Sequence, residues 1–562
     1  MLTSVSIFAL SLLAFYSVSQ YRSIRKHLQE AKQSGFKYVF SPVYFQSIPW
    51  IILSESLSPF ILKLPTAWTE SWFGLSVFGR LWHEGYSPFS KLGDDNIMMV
   101  SASGNILWTC DPEVIMQVMD HREYAKPLEM LDMLNLYGPT ITASEGDEYR
   151  AYRKVTYPSF NNSNHRLVWT EAIHQAQMML GSWNANDGQI SNLNKDAAKM
   201  ALHVISMVFF DKKMHWTDDA KKAPPGHTLT YHAALSSVLE YNSTLFMTPR
   251  PIINYSPMKI HKLAKEAFVE WGKYMTEMRD ETANSLKNSD PTEDGTLLEN
   301  LVKAGTQGLG PSESSIPPEA ILGNMFIFIL AGHETSSNTF THAVSLLACR
   351  PKFQKSLQAE IDALSLGRSA HRRSYEEAFP KLMSGHVGAL MKETLRLYTV
   401  VPFLPKINNE RPQTLKVGQR TCTLPLKTLV MVNTSATHRN PKHWPPVTKT
   451  AADDAPFPVS SFAPERWLDS SPEGEEKFNP VPGAYIPFAE GYRTCMGQHF
   501  ARAEFCAAIL TIFSEYSVEL HVEQGQKFEH VLQAAEQQLS SGVGFSMGLK
   551  MKKPVLLRLV RR

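Results

Sequence analysis

"PFAEGYRTCMGQHFARAE" (residues 487–504) sets one cysteine inside a glycine-bearing turn that runs directly into a helical pattern. From Phe500 onward, apolar residues fall at 500, 501, 505, 508, 509, 512 and 513, the spacing of one helix face. Cys495 therefore stands at or just before a helix N-terminus. Free N–H groups and the helix dipole there favour an anion such as a thiolate. Gly491 and Gly497 allow a tight turn and close backbone approach to a flat ligand. Arg493 offers a carboxylate a fixed cation and a planar fork of donors. Phe488 is placed to cover the sulfur.

The rest of the chain narrows what this cysteine does. The chain has 562 residues, 43% of them hydrophobic, and a formal charge of +2. That is enough for a large buried core, and it gives no basis for nucleic-acid binding. Five cysteines, Cys110, Cys349, Cys422, Cys495 and Cys506, are few, scattered and odd in number. They argue against a disulfide framework and for a reducing compartment. Three readings of Cys495 remain open from the residues alone. It is a small core hydrophobe, a zinc ligand together with His499, or a thiolate ligand to haem iron.

The first 21 residues, "MLTSVSIFALSLLAFYSVSQY", carry no charged side chain, and Arg22, Arg25 and Lys26 follow at once. About 20 mostly apolar residues cross a bilayer as a helix. A basic cluster after the span favours a cytoplasmic C-terminal side. The expectation is an uncleaved transmembrane anchor over 1–21. A signal peptide cut near Ser17-Val18-Ser19 is disfavoured by the missing basic n-region. A second apolar run, "SIPWIILSESLSPFILKLPTAW" (47–68), is broken by Pro49, Glu55, Pro59, Lys63 and Pro65. It reads as a segment on or dipping into the membrane surface, with an early buried helix as the alternative. The expected organisation is an anchor (1–21), a basic linker and membrane-associated segment (22–74), and one globular domain (75–562).

Within that domain the pattern is mainly helical with small sheets, an α+β arrangement. "NIMMVSASGNILWTC" (96–110) predicts two short strands around a Ser-Gly-Asn turn. Asp111-Pro112-Glu113 predicts a helix start with Asp as N-cap. Helical patterns dominate from about 144 to 400. Loops are expected at 288–295, 305–318 and 470–483, and "GLKMKKPVLLRLV" near the C-terminus alternates as a strand does. The longest helix is expected from Pro317 to Arg350. Its centre, "MFIFILAGHETSSNTF" (325–340), passes from apolar residues into Gly332-His333-Glu334-Thr335. A polar cluster in a spanning helix is costly unless satisfied. Either it faces a surface bend, or it forms a widened turn where a ligand meets an acid and a hydroxyl that pass protons.

"FAEGYRTCMG" (488–497) resembles the haem-binding pattern F-x-x-G-x-R-x-C-x-G of the cytochrome P-450 superfamily at every fixed position. "AGHETS" (331–336) resembles the family's oxygen-activation motif, "ETLR" (393–396) its E-x-x-R helix motif, and "FAPERW" (462–467) its P-E-R-F-like segment. All four stand in the family's order, and the resemblance covers about 75–562. It implies the cytochrome P-450 fold, a haem b (iron protoporphyrin IX) cofactor and monooxygenase activity. By resemblance Cys495 is the axial thiolate, Arg493 a haem-propionate partner and Phe488 the shield of the sulfur. Glu393, Arg396 and Arg466 would form a buried ion-pair triad. The family's early W-x-x-x-R is here Tyr149 and Arg153, so a phenol replaces an indole as donor. Arg150 is the alternative propionate partner.

The resemblance further implies that Thr335 holds oxygen and a water, that Glu334 relays protons, and that Gly332 leaves room for dioxygen. The haem segment lies close to the end of the chain, so electrons are expected from a partner. That partner would be NADPH-cytochrome P-450 reductase on the same membrane, with cytochrome b5 as a second donor. The expected location is the endoplasmic reticulum membrane, single-pass, with the catalytic domain facing the cytosol. By family position the pocket draws on Leu128–Thr142, Phe326, Leu330, Val400–Leu404 and Gly542–Phe545. These are mostly apolar and imply a hydrophobic substrate, in the manner of fungal natural-product enzymes. The rivals are a haem-thiolate isomerase or dehydratase without external electrons and a non-catalytic haem-binding module.

Overall fold

The computed structural model describes residues 2–216, 222–287, 295–306, 316–365, 373–445, 461–468, 478–545 and 548–562, and only the backbone of 2–10, 12, 13, 306 and 365. The longer helices are Leu2–Ser34 (α1), Ile48–Ile61 (α2), Pro112–Asp120 (α3), Gly146–Thr156 (α4), Asn162–Ala185 (α5), Leu193–Phe210 (α6), Lys259–Lys287 (α7), Pro318–Ala348 (α8), His386–Leu397 (α9) and Gln498–Phe513 (α10). The strands that matter below are Lys37–Phe40 (β1), Asn96–Ser101 (β2), Gly104–Thr109 (β3), Tyr124–Ala125 (β4), Leu404–Asn408 (β5), Leu429–Val432 (β6), Tyr516–Leu520 (β7), Val543–Phe545 (β8), Leu549–Met551 (β9) and Leu557–Arg561 (β10). The chain is mainly helical with small sheets, as expected. It divides into two compact units. One comprises Met1–Pro127, Val401–Ser461 and Phe478–Cys495, and the other Leu128–Val400, Phe462–Lys477 and Met496–Arg562.

The first unit is built on a six-stranded sheet in the order β1-β2-β3-β6-β5-β4. β2 and β3 form the predicted hairpin, with Asn96 opposite Thr109 and Ser101 opposite Gly104. Both strands are almost wholly buried, which explains their near-continuous apolar sequence. α3 begins as the sequence predicts. The Asp111 carboxylate accepts from the Glu113 N–H at 3.0 Å and Pro112 occupies the first turn. α3 buries Val114, Ile115, Val118 and Met119 in one cluster with Met98, Val100, Leu107 and Val430. Its last turn is thereby fixed to the sheet, and that turn positions the cysteine loop described below.

The second unit centres on α8, 31 residues long with Pro317 as N-cap and Pro318 in its first turn. α6 packs along α8, and α5 packs on both α6 and α10. β7 and β10 pair antiparallel, Tyr516 opposite Arg561, and β8 and β9 form a hairpin with Val543 opposite Met551. The C-terminal stretch expected as one strand is thus two, β9 and β10, separated around Pro554, which has no N–H to give a ladder.

One further expectation changes. The longest helix among the described residues is α1, at 33 residues, rather than α8. Residues 22–74, expected as a basic linker and membrane-associated segment, fall in the first compact unit together with the chain up to Pro127. The second half of α1 lies on the β2–β3 hairpin, where Ser23 Oγ donates to the Ala102 carbonyl at 2.6 Å and Ala31 joins the core. β1 then pairs in parallel with β2, Lys37 opposite Ile97. The apolar contacts of Ala31 and Phe36 hold this segment to the unit. Among the described residues no helix is long and apolar enough to cross a membrane. Most side chains of the expected anchor, and the expected loops at 288–294, 307–315 and 470–477, lie outside the described residues.

α2 is built inside out. It buries Trp50, Ser54 and Ser58, and the Trp50 indole donates to the Ser76 carbonyl at 2.7 Å. Ile48, Ile52, Leu53, Leu57 and Phe60 are exposed instead.

Candidate active site

The predicted site residues fall in both units and are taken unit by unit. In the first, the chain turns sharply between Phe488 and Cys495. The Cys495 N–H donates to the Phe488 carbonyl at 2.9 Å, closing the turn. Ala489 and Gly491 have φ of 58° and 68°. At Gly491 a β-carbon would stand 2.2 Å from the Met119 carbonyl oxygen at the end of α3, so glycine is required twice over. At Gly497 the turn itself makes no such demand. Its φ is −84°, which any residue adopts.

Cys495 is the exposed thiol of the five, and the other four are buried. Arg493 is half-buried, its guanidinium 5.8 Å from the Tyr492 ring centroid. An exposed thiol on a fixed turn, with a guanidinium two residues away, fits what a haem iron and its propionate need. Sequence reasoning missed Lys406 on β5. It is 2% exposed, donates to the Tyr124 carbonyl at 3.1 Å and sits 4.7 Å from the Tyr492 ring centroid. A lysine inside the apolar run "FLPKIN" was the available signal. His499 is exposed, its ring 5.7 Å from that of His165. Among the described residues no group of three or more side chains could hold a metal ion, so the zinc reading gains no support.

In the second unit, α8 runs unbroken through the polar cluster, without the widened turn. The helix is buried on both sides of residues 331–336, yet Ala331 is exposed and Gly332, Glu334, Thr335 and Ser336 are half-buried. The Thr335 hydroxyl donates to the Ala331 carbonyl at 2.7 Å. Burial pushes the Glu334 carboxyl above the usual range, although the Lys550 ammonium and the Gly548 N–H pull it down. Gly332 also meets a packing constraint. A β-carbon there would stand 2.8 Å from Ile205 Cδ1 on α6, so its small size serves close helix packing. His333, next to Glu334, is buried, and burial pushes it down to about 4.

Tyr149 and Arg153 are brought together on α4, Arg153 Nη1 lying 3.0 Å from the Tyr149 hydroxyl. Arg150 pairs instead with Asp147 at the exposed surface. The triad forms as expected. Arg396 donates to both Glu393 oxygens, Nε at 2.8 Å and Nη2 at 2.7 Å. Arg466 Nε approaches at 3.1 Å, and the Ala463 N–H and Trp467 indole add bonds of 3.0 and 2.9 Å. Burial alone would raise the Glu393 carboxyl, but Arg396 and Arg466 outweigh it and hold it below the usual carboxylate range.

Of the expected pocket residues, Phe326 is fully buried under Tyr137, with ring centroids 4.9 Å apart. Leu330 is 3% exposed. Packing leaves Phe326 no surface for a substrate. Another residue without a sequence signal is Glu504 on α10. It is 2% exposed, and burial pushes its carboxyl up to about 8, against the weaker pull of the Ser336 hydroxyl.

With this geometry in place, comparison with known proteins is specific. The Cytochrome P450 family model matches residues 94–539. A cytochrome P450 monooxygenase of Arthrobotrys oligospora is 26% identical over 92% of each chain. Cytochrome P450 monooxygenase prx9 of Penicillium rubens is 28% identical over 88% of each. The phomenoic acid biosynthesis cluster cytochrome P450 monooxygenase of Leptosphaeria maculans is 24% identical over 92% of each. Among solved structures, the cytochrome P450DA heme domain superposes with a TM-score of 0.66, at 18% identity over 88% of this chain and 95% of that one, a likeness of fold. An unbroken α8 bearing Glu334-Thr335, the buried Glu393 triad and the Cys495 turn thus sit in a chain that belongs to the cytochrome P450 family, and it is a haem-thiolate monooxygenase.

Proposed function

We propose that the chain is a membrane-anchored monooxygenase of natural-product biosynthesis that oxidises a hydrophobic small molecule with electrons from NADPH. NADPH-cytochrome P-450 reductase would deliver them, with cytochrome b5 as a second donor, at the cytosolic face of the endoplasmic reticulum. The uncharged run 1–21 followed by Arg22, Arg25 and Lys26 supports the anchor. The outward apolar face of α2 supports a second contact with lipid. The biosynthetic reading rests on the name of the Leptosphaeria relative.

In this reading Cys495 Sγ would be the iron ligand. Arg493, and separately the Arg153–Tyr149 pair, would each offer donors to a haem carboxylate. A thiolate-ligated haem would supply the activation of dioxygen. The chain's own task is proton delivery. The Glu334 carboxyl, raised by burial, holds a proton more readily than a free glutamate does. Thr335 Oγ donates to the Ala331 carbonyl, which leaves its lone pairs to accept from a water. Glu334 and Thr335 together on the half-open turn of α8 are the observation that carries the reading. The test is product formation from candidate terpenoids, polyketides and lipids with NADPH and the reductase. Product without the reductase or NADPH would overturn it.

A further inference from the structure

His165 lies in the first turn of α5 and His499 in the first turn of α10, both in the second unit. The two helices pack on each other, and the imidazole centroids are 5.7 Å apart with 41° between the ring planes. His165 is 6% exposed, while His499 stands at the surface. Among the described residues, His165 Nε2 is buried and has no hydrogen-bond partner. Burying a polar atom unpaired is costly, so this nitrogen calls for a partner that the chain itself does not supply. The surrounding side chains are otherwise engaged. Arg166 pairs with Glu376, and the Trp169 indole donates to the Arg373 carbonyl at 3.0 Å. The Tyr375 ring lies 6.4 Å from that of His165, and burial, then the Glu376 carboxylate, holds the proton on its phenol.

The state of the two rings fits a metal ion. A metal takes an imidazole through a lone pair, so the ring must be neutral. Burial, and after it the His499 ring, lowers His165 from its ordinary value. Partial desolvation, and after it the Arg502 guanidinium, lowers His499. Each ring then presents one bare nitrogen near neutral pH. With zinc–nitrogen bonds of about 2.0–2.1 Å, an ion stands roughly 3.2 Å from each ring centre, so two rings that share it lie at most about 6.4 Å apart. The separation of 5.7 Å is inside that limit. His499, being exposed, can turn its nitrogen toward the same point. No third protein ligand joins them among the described residues, which leaves the remaining positions to water. Imidazole nitrogen suits zinc, copper and nickel, whereas calcium and magnesium take oxygen.

We propose that His165 and His499 form an open, two-imidazole site for a divalent transition-metal ion of the zinc class, and that the bound ion ties the first turn of α5 to the first turn of α10. The site draws on no residue of the cysteine turn and stands whether or not Cys495 ligates iron. It gives the buried His165 nitrogen its missing partner and leaves the water-filled side of the ion at the surface, where His499 lies.

The test titrates zinc chloride into the full-length holoenzyme, free of any histidine tag, and follows binding by calorimetry in the parent chain, His499→Ala and His165→Phe. The parent is expected to bind an ion whose affinity falls about tenfold or more in each variant. Absence of zinc binding by the parent, or an affinity unchanged in His499→Ala, overturns the proposal. A fall in His499→Ala alone, with His165→Phe folded and unaffected, overturns it as well, because one surface histidine would then suffice. Since His165 is buried, His165→Phe can fail to fold, and a zinc-soaked crystal of the parent then decides. An anomalous peak about 2.0–2.1 Å from a nitrogen of both rings supports the site, and a peak on His499 alone, or none, overturns it.

Discussion

Glu393 receives both arms of the Arg396 guanidinium, Nε at 2.8 Å and Nη2 at 2.7 Å, and neither side chain has any solvent exposure. Water cannot replace either partner. Glu393→Ala leaves two guanidinium groups, Arg396 and Arg466, without their shared carboxylate. The expected loss of stability is about 3–5 kcal/mol. Thermal or urea unfolding of purified protein measures it, and a melting temperature close to that of the parent chain would remove the triad from its structural role.

Cys495→Ser exchanges a thiolate for a hydroxyl at the exposed tip of the turn. The reduced, carbon-monoxide-treated parent protein is expected to show the red-shifted Soret band of a thiolate-ligated haem, and the variant to lose it. A histidine-type band in the parent protein would refute the assignment.

Gly491→Ala places a methyl group 2.2 Å from the Met119 carbonyl and forces alanine to a φ of 68°. The turn must move off α3, and haem content per chain is expected to fall. Gly497→Ala is the control, because its φ of −84° suits alanine. Equal haem content in the two variants would show that the contact with α3 does not set the turn.

Thr335→Ala removes the hydroxyl that donates to the Ala331 carbonyl at 2.7 Å. Dioxygen consumption is expected to continue while product per electron pair falls about tenfold and hydrogen peroxide replaces it. Unchanged coupling in this variant would take Thr335 out of the proton path.

Glu504 gives stability a pH dependence of definite sign. Burial raises its carboxyl from the ordinary 4.5 to about 8, so the folded chain binds its proton more tightly than the unfolded chain does. The contribution is complete below pH 4.5 and disappears as pH rises through about 8. Glu504→Gln is expected to flatten the curve of melting temperature against pH over that window, with the variant gaining on the parent at the alkaline end. Parallel curves would contradict the burial argument.

The cysteine turn, the acid–alcohol pair and the triad were legible because each is a short local pattern whose chemistry is set by its own residues. Asp111 as N-cap was legible for the same reason. What stayed hidden depends on the partner found across the fold. Nothing in the sequence shows that the flank of Gly332 also meets Ile205 of α6. Phe326 looked like pocket lining until Tyr137 covered it. In the stretch after residue 21 nothing announces that Ala31 and Phe36 enter a core made by residues far along the chain. Lys406 and Glu504 read as ordinary charged residues, since only tertiary structure buries them. In α2 the serines inside and aliphatics outside reverse the usual pattern, and proline interruptions masked that reversal in the sequence.

That reversal has a practical consequence at the bench. With Ile48, Ile52, Leu53, Leu57 and Phe60 facing outward, α2 offers other chains a sticky surface wherever lipid or detergent is lacking. Truncating the first 21 residues will therefore not give a monodisperse preparation in plain buffer. Polar replacements at Ile52 and Phe60 would be needed as well, and they spare the inward Trp50, Ser54 and Ser58 on which the packing of this helix depends.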